Sequence, residues 1–260
     1  MLAGLRDDAA GGGVLAGHVT PNRIKLGLSI YGSVSGDWLI AWMQFQAEIA
    51  AYGKSYRGMT LMKGSCYVHM NSNQLVAAAL EDDSWDYFLH LQDDQIPPEG
   101  VLERVGGYTD PVVGAMTFGR VMEHQQAVPG RFDGLNFARL GDEDAERLMD
   151  QPGLHPIGAT SLGCTAIRRD VLETWNPDLG PWFQVPTWDG RSWGEDVWFC
   201  YQAAQQGWPV YVDTALVSPH VGAWKSDGRT FRARLVHDRR LRELQANEPA
   251  EPRESVAVAR

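Results

Sequence analysis

Three short constellations in the 260-residue sequence carry residue types suited to chemistry on a phosphorylated substrate. The first is Asp93-Asp94, which follows the apolar run Tyr87-Phe88-Leu89-His90-Leu91 and is introduced by Gln92. Adjacent carboxylates repel unless a cation lies beside them, and a hard divalent ion such as Mg2+ or Mn2+ prefers oxygen ligands and accepts further oxygens from phosphates. The competing reading is a polar turn in which Asp93 caps the next helix or faces water. The second is Trp193-Gly194-Glu195-Asp196, a glycine ahead of two carboxylates at the start of a helical pattern. An acidic first turn suits the helix dipole on its own account. The loop just upstream, however, offers the flat faces of Trp182, Trp188 and Trp193 to a sugar or a base, although the same rings would serve equally well in a core. The third is His220, between Pro219 and Gly222. Most histidines so placed are turn residues, yet a neutral imidazole is a competent partner for a carboxylate around Mn2+.

Positioning these groups requires strands whose ends converge. Residues 24–31 predict a first strand, 32–36 a loop, Asp37 a helix cap and 38–52 a helix at apolar spacing. A strand over 59–62 and a helix over 73–80 follow. The continuous apolar run 87–91 suits a strand buried on both faces, and Pro98 is placed to open a helix through Val101, Leu102 and Val105. A strand is expected over 111–117, then a polar, poorly periodic stretch over 119–152 containing a mobile loop. Residues 164–167 read as a strand, 169–175 as a helix, 195–206 as a helix stopped by Gly207, and 210–212 as a strand. Strands alternating with helices predict an α/β layer architecture in one domain. In open α/β sheets ligands bind beyond the carboxyl ends of the strands, where Asp93-Asp94 stands.

Composition narrows the function. The chain is 44% apolar and 22% charged, with 33 acidic against 23 basic residues and a net charge of −10, which disfavours a general nucleic-acid coat protein. The charge is uneven: Lys225, Arg229, Arg232, Arg234, Arg239, Arg240 and Arg242 form a basic stripe interrupted only by Asp227 and Asp238. That stripe suits donor phosphates, a nucleic-acid backbone or plain solvent. No apolar run reaches the roughly 18 residues of a membrane span, and Asp7, Asp8 and Gly11-Gly12-Gly13 stand where a signal peptide would be apolar, so a cytoplasmic location is expected. Cys66, Cys164 and Cys200 make no CxxC pair, as expected of reduced thiols. The sequence has no GxGxxG after the first strand, no phosphate-binding P-loop, no GxSxG and no HExxH, which argues against a glycine cradle for nucleotides and against zinc hydrolysis.

In their order, these features resemble the GT-A glycosyltransferases, most closely family-two-like enzymes including those encoded by actinobacterial phages. The likeness runs over residues 24–222 and includes the segment Gly163-Cys164-Thr165-Ala166-Ile167-Arg168-Arg169-Asp170. It implies a single-domain GT-A fold: a central, mostly parallel mixed sheet flanked by helices over residues 23–224. A flexible arm over 1–22, a basic helix over 225–245 and a disordered tail over 246–260 complete the expected organisation. Gln92-Asp93-Asp94 then resembles the DxD region, with Asp94 holding the metal, Asp93 near the ribose or the metal, and Gln92 in place of the first Asp. His220 matches the C-terminal metal ligand. Asp196 matches the base that takes the acceptor proton in inverting relatives, and Glu195 a residue orienting acceptor or donor. Ser29 and Tyr31 match the nucleoside site, together with Ile30; Asn73 and Ser72 stand where relatives carry Asn and Arg, with His69 or Lys63 as substitute cations. Trp188, Trp193 and Gly194 would form the acceptor or sugar loop.

The implied activity is a metal-dependent hexosyltransferase, using Mn2+ or Mg2+, that moves a hexose from a UDP-linked donor to a hydroxyl with inversion. The acceptor is open between modified DNA, a virion protein and a small molecule, with host cytoplasm as the location for a phage protein and no membrane partner. The alternatives are a non-catalytic sugar- or nucleotide-binding module and a metal-dependent phosphohydrolase.

Overall fold

The computed structural model describes residues 20–31, 34–63, 67–119, 126–188, 190–221 and 225–247. Strand β1 (Ile24–Ile30) leads into helix α1 (Gly36–Tyr52), β2 (Tyr56–Lys63), α2 (Val68–Leu80) and β3 (Tyr87–Gln92). After α3 (Val101–Gly106) and β4 (Val112–Met116) come a hairpin of β5 (Gly130–Asp133) and β6 (Asn136–Arg139), then α4 (Asp142–Met149) and β7 (Leu154–Ile157). The chain continues through β8 (Cys164–Arg168), α5 (Arg169–Glu173), a small hairpin of β9 (Thr187–Trp188) and β10 (Arg191–Ser192), and α6 (Glu195–Gln205). Strand β11 (Val210–Val217), the short β12 (His220–Val221) and β13 (Lys225–Ser226), and α7 (Gly228–Asn247) complete it.

Seven strands form one sheet in the order β2-β1-β3-β8-β4-β11-β7. The pairs β1/β2, β1/β3 and β4/β11 are parallel, whereas β8 runs antiparallel to both β3 and β4, and β7 antiparallel to β11. The expected architecture, a mostly parallel mixed sheet flanked by helices, is therefore observed. Strand β3 is central, and alternate residues feed opposite cores. Phe88 joins Leu75, Val76, Phe183 and Phe199 on one face, and Tyr87, Leu89 and Leu91 join Trp38, Phe45, Val101 and Leu102 on the other. Among the described residues no helix is long and apolar enough to cross a membrane.

Two local expectations are corrected, and a stretch left without assigned elements is filled in. The cap of α1 is Ser35, whose Oγ accepts from the Trp38 N–H at 3.0 Å, while Asp37 lies in the first turn. Helix α3 begins at Val101, beyond Pro98, because the Glu48 carboxylate of α1 accepts from the N–H groups of Gly100 (3.2 Å) and Leu102 (2.6 Å). A cap supplied from 52 to 54 residues upstream satisfies orphan donors of a helix start but leaves no local trace. The polar stretch after residue 119 is largely structured. Within 119–152 lie the β5–β6 hairpin and α4, with residues 120–125 outside the described set, and the edge strand β7 follows just beyond it. Its hairpin and helix are too short for a clear period, and packing of Phe132, Phe137, Ala145 and Leu148 on the larger core stabilises them.

Candidate active site

The carboxyl ends of β1, β3, β4 and β11 lie along one edge of the sheet, and the chain folds there so that distant residues meet. At the end of β3, the Asp93 N–H donates to Ser29 O (3.0 Å), and Asp93 Oδ2 accepts from the Tyr31 N–H (2.8 Å). Asp93 thus ties β3 to β1. Asp94 is turned toward the other half of the sheet. Its carbonyl accepts from the Val221 N–H (2.7 Å), and its Oδ2 lies 3.3 Å from His220 Nε2. The other ring nitrogen, Nδ1, is 3.1 Å from Phe118 O.

That geometry dictates the tautomer. A carbonyl only accepts, so Nδ1 must carry a proton, and in a neutral imidazole Nε2 then presents a lone pair to a carboxylate oxygen. Two acceptors 3.3 Å apart are stabilised by a cation between them, a proton or a metal. The donor set of one carboxylate and one imidazole, with room for phosphate oxygens, fits Mn2+ or Mg2+. Among the described residues no group of three or more His, Cys, Asp or Glu is placed to hold a metal. The three expected metal residues are therefore divided: Asp94 and His220 meet, and Asp93 is engaged with the end of β1.

The first turn of α6 brings Glu195 near enough to this pair for the charge of Asp94 to act on it. Glu195 has its carboxyl pushed up to about 7, first by burial and then by the charges of Asp196 and Asp94. Asp196 Oδ1 accepts from the Val197 N–H at 2.7 Å. Burial raises its carboxyl, against the opposing pull of that backbone bond and of the Arg139 charge. Gly194 makes room for it, since a Cβ there would stand 2.6 Å from Asp196 Oδ1. Tyr31 closes the gap between strand end and helix. Burial is the main reason its phenol is raised to about 12, and the charges of Glu195 and Asp94 add to it. Ser29 is fully buried beneath it.

The remaining expected residues take other places. Asn73 donates to His69 O (2.8 Å) and Phe183 O (2.7 Å) and accepts from the Phe183 N–H (3.1 Å), so its amide clamps the start of the tryptophan-rich loop to α2 and is spent there. Ser72 Oγ is 3.0 Å from His90 Nε2, inside the fold. The His69 ring stands edge-on to Tyr67, and Lys63 ends the exposed edge strand β2. Gln92 donates its N–H to Gly163 O (3.1 Å). Trp193 stacks on Phe132 (5.7 Å between centroids, 15°) and meets Trp198 and Tyr201 edge-on, lining a cavity of about 200 Å³ with Leu135, Phe137, Ser192, Gly194 and Val197. Trp182 packs on the core, its Nε1–H donating to Leu172 O (3.0 Å). The Trp188 side chain lies outside the described set.

One organiser escaped the sequence reading. Gln95 Nε2 donates to Ser161 Oγ (2.9 Å), and its Oε1 accepts from Ser218 Oγ (3.3 Å), so this buried amide joins the turn after β3 to the loops beside it. Gly163 is what admits it, because a Cβ there would fall 1.9 Å from the amide nitrogen. The basic stripe also has an internal partner. Arg234 pairs with Asp142 (2.6 Å), Arg232 with Asp150 (2.8 Å) and Arg239 with Glu146, acids spaced four apart along and just past α4.

No family model matches the chain, and no curated protein matches it. In fold, it is similar to a solved structure, A197 from STIV. The two share 17% identity at a TM-score of 0.51, over 77% of this chain and 86% of that one. Weaker likenesses include GalNAc-T7, solved with UDP, GalNAc and Mn2+ (11% identity, TM-score 0.41, 78% of this chain and 45% of that one). Another is 4-diphosphocytidyl-2C-methyl-D-erythritol synthase from Anaerococcus prevotii DSM 20548 (10% identity, TM-score 0.40, 84% and 99%).

Proposed function

We propose that the chain is a glycosyltransferase that moves a hexose from a nucleotide-diphosphate sugar, UDP-linked, to an acceptor hydroxyl with inversion. The observation that carries this reading is the meeting of Asp94 and His220 across the strand ends, 3.3 Å apart, with Glu195, at the start of α6, near enough to feel the charge of Asp94. A divalent ion held by Asp94 and His220 would neutralise the charge that develops on the departing diphosphate. The chain's own groups do the rest. Asp196, raised by burial, accepts the proton of the acceptor hydroxyl as that oxygen bonds to the anomeric carbon and the bond to the diphosphate breaks. Glu195 orients the sugar, and Tyr31 and Ser29 border the nucleoside. A second reading, with Glu195 as the base, is favoured by its carboxyl standing near neutrality beside Asp94.

Transfer from UDP-hexose, followed with Mn2+ across a panel of hydroxyl acceptors, tests the proposal. Asp94→Asn and Asp196→Asn are each expected to lower turnover by roughly 10²–10⁴ in a folded protein. Donor binding with no transfer or hydrolysis would leave a binding module in its place, and release of free phosphate alone a phosphohydrolase. If Glu195→Gln abolishes turnover at saturating donor while Asp196→Asn retains it, the second reading replaces the first. The anomeric signal of the product by NMR reports inversion, and retained configuration would remove both carboxyls from the role of base.

A further inference from the structure

Helix α7 has no part in the reaction proposed above, yet its packing leads directly to His220. Phe231, in its first turn, is fully buried and stacks on Phe118 with 4.7 Å between ring centroids at 27°. Phe118 is also fully buried, and its carbonyl is the group that accepts from His220 Nδ1. Its backbone is held on the other side by a bridge to Ala127. Further along α7, Arg234 lies over the Phe231 ring (5.4 Å) while pairing with Asp142 and Asp238. Arg232 and Arg239 fasten the same helix to Asp150 and Glu146. A continuous set of contacts therefore runs from the acids of α4, through the arginines and Phe231, to the carbonyl that orients the imidazole.

We propose that Phe231 and the arginines of α7 are positioning residues that strap Phe118 in place and so hold His220 with Nε2 turned toward Asp94. The physical ground is that a metal-binding imidazole is oriented through its second nitrogen, and losing that outer partner costs 10–100-fold in metal affinity. Truncating Phe231 would open a cavity against Phe118, and releasing α7 from α4 would loosen the same contact from farther away. Three cations of the basic stripe, Arg232, Arg234 and Arg239, thus act inside the molecule.

The consequence for metal affinity rests on the reading of Asp94 and His220 as a metal pair, so the test has two readouts. In metal-free protein, the imidazole 15N signals of His220 report the tautomer. With metal, the signal of free Mn2+ in electron paramagnetic resonance titrations reports affinity. The wild type is expected to show a single Nδ1–H tautomer and an Mn2+ affinity that Asp94→Asn removes. Phe231→Leu is expected to mix the tautomers and weaken Mn2+ about tenfold. Arg232→Glu with Arg234→Glu should act in the same direction, several-fold, and adding Asp142→Arg with Asp150→Arg should restore both readouts. The charge variants lie at a partly exposed contact and keep the test open if Phe231→Leu does not fold. Folded strap variants with an unchanged tautomer overturn the proposal, whether or not Mn2+ binds. A wild type that binds no Mn2+ overturns the metal reading instead, and the tautomer alone then decides the strap.

Discussion

Two buried carboxylate sites in this fold use the same residue types to opposite ends. Within β11, Asp213 is fully buried, and its Oδ2 receives Arg104 Nε (2.8 Å), Arg104 Nη2 (2.6 Å) and the Tyr108 hydroxyl (2.7 Å), while Oδ1 receives the Ala215 N–H (3.0 Å). Its charge and lone pairs are answered within the chain, and the product is a fixed link between α3 and the sheet. At the strand ends, burial first, and then the like charges of Asp196 and Asp94, raise the Glu195 carboxyl to about 7. A carboxylate answered by a guanidinium holds the fold together. One set among other carboxylates is held at a cost to stability, and that cost is recovered when a cation or a proton arrives.

Breaking the first site should have the largest effect on stability. Asp213→Ala leaves Tyr108 and part of Arg104 buried without their acceptor, and is expected to cost about 3 kcal/mol in urea unfolding, with Mn2+ binding unchanged. Glu195→Gln should do the reverse. The folded carboxyl stands near 7 and the unfolded one near 4.5, so below pH 4.5 both states are protonated and the substitution is neutral. Between pH 4.5 and 7 the unfolded carboxyl ionises while the buried one stays protonated, so the wild type loses stability across that window, and above 7 the variant is the more stable by about 2 kcal/mol. Thermal melts in chelator at pH 4.5 and pH 8 check the sign, and equal shifts at the two pH values would place Glu195 with Asp213 as a structural group.

A third titrating group sharpens the contrast from within the core. His90 is fully buried, its Nδ1 is 2.7 Å from Leu162 O, and burial lowers it to about 4 from an ordinary 6.5. Its stabilising contribution is complete above pH 6.5 and is lost as pH falls toward 4. Unfolding midpoints followed from pH 7 to pH 4 should therefore fall through that window, and the slope should be absent in any His90 variant that folds. The smallest effect is expected from added Mn2+. By stabilising the folded state in proportion to its occupancy, it should raise the melting temperature of the wild type by a few degrees and leave Asp94→Asn unmoved.

Much of this arrangement was legible along the chain. The run 87–91 ended in two aspartates because a strand buried on both faces must be apolar until it reaches solvent. Glycine before Glu195-Asp196 marked a helix start with an acidic turn, and β1, β3, β8 and α6 fall within a residue or two of their expected bounds. What escaped was non-local. The Glu48 cap of α3, the Gln95 amide seated on Gly163, the Asn73 clamp on Phe183 and the pairing of α4 with α7 each join residues far apart in sequence. None of them changes a hydrophobic period. The basic stripe showed this most clearly: the arginines were plain to read, but their acidic partners lay in a stretch too short and polar to be recognised as a helix.

By itself, the sequence determined which residue types stand at the strand ends and the helix start, because strand burial, capping and turn chemistry are written in neighbouring residues. Only the tertiary structure decided that Asp94 faces His220 while Asp93 turns to β1. Only there, too, do the cations of α7 meet the acids of α4, does Asp213 receive the guanidinium of Arg104, and does Glu195 come among the charges of Asp196 and Asp94. Contact across a folded sheet depends on register and packing summed over the whole chain, whereas local propensity depends on a few residues at a time.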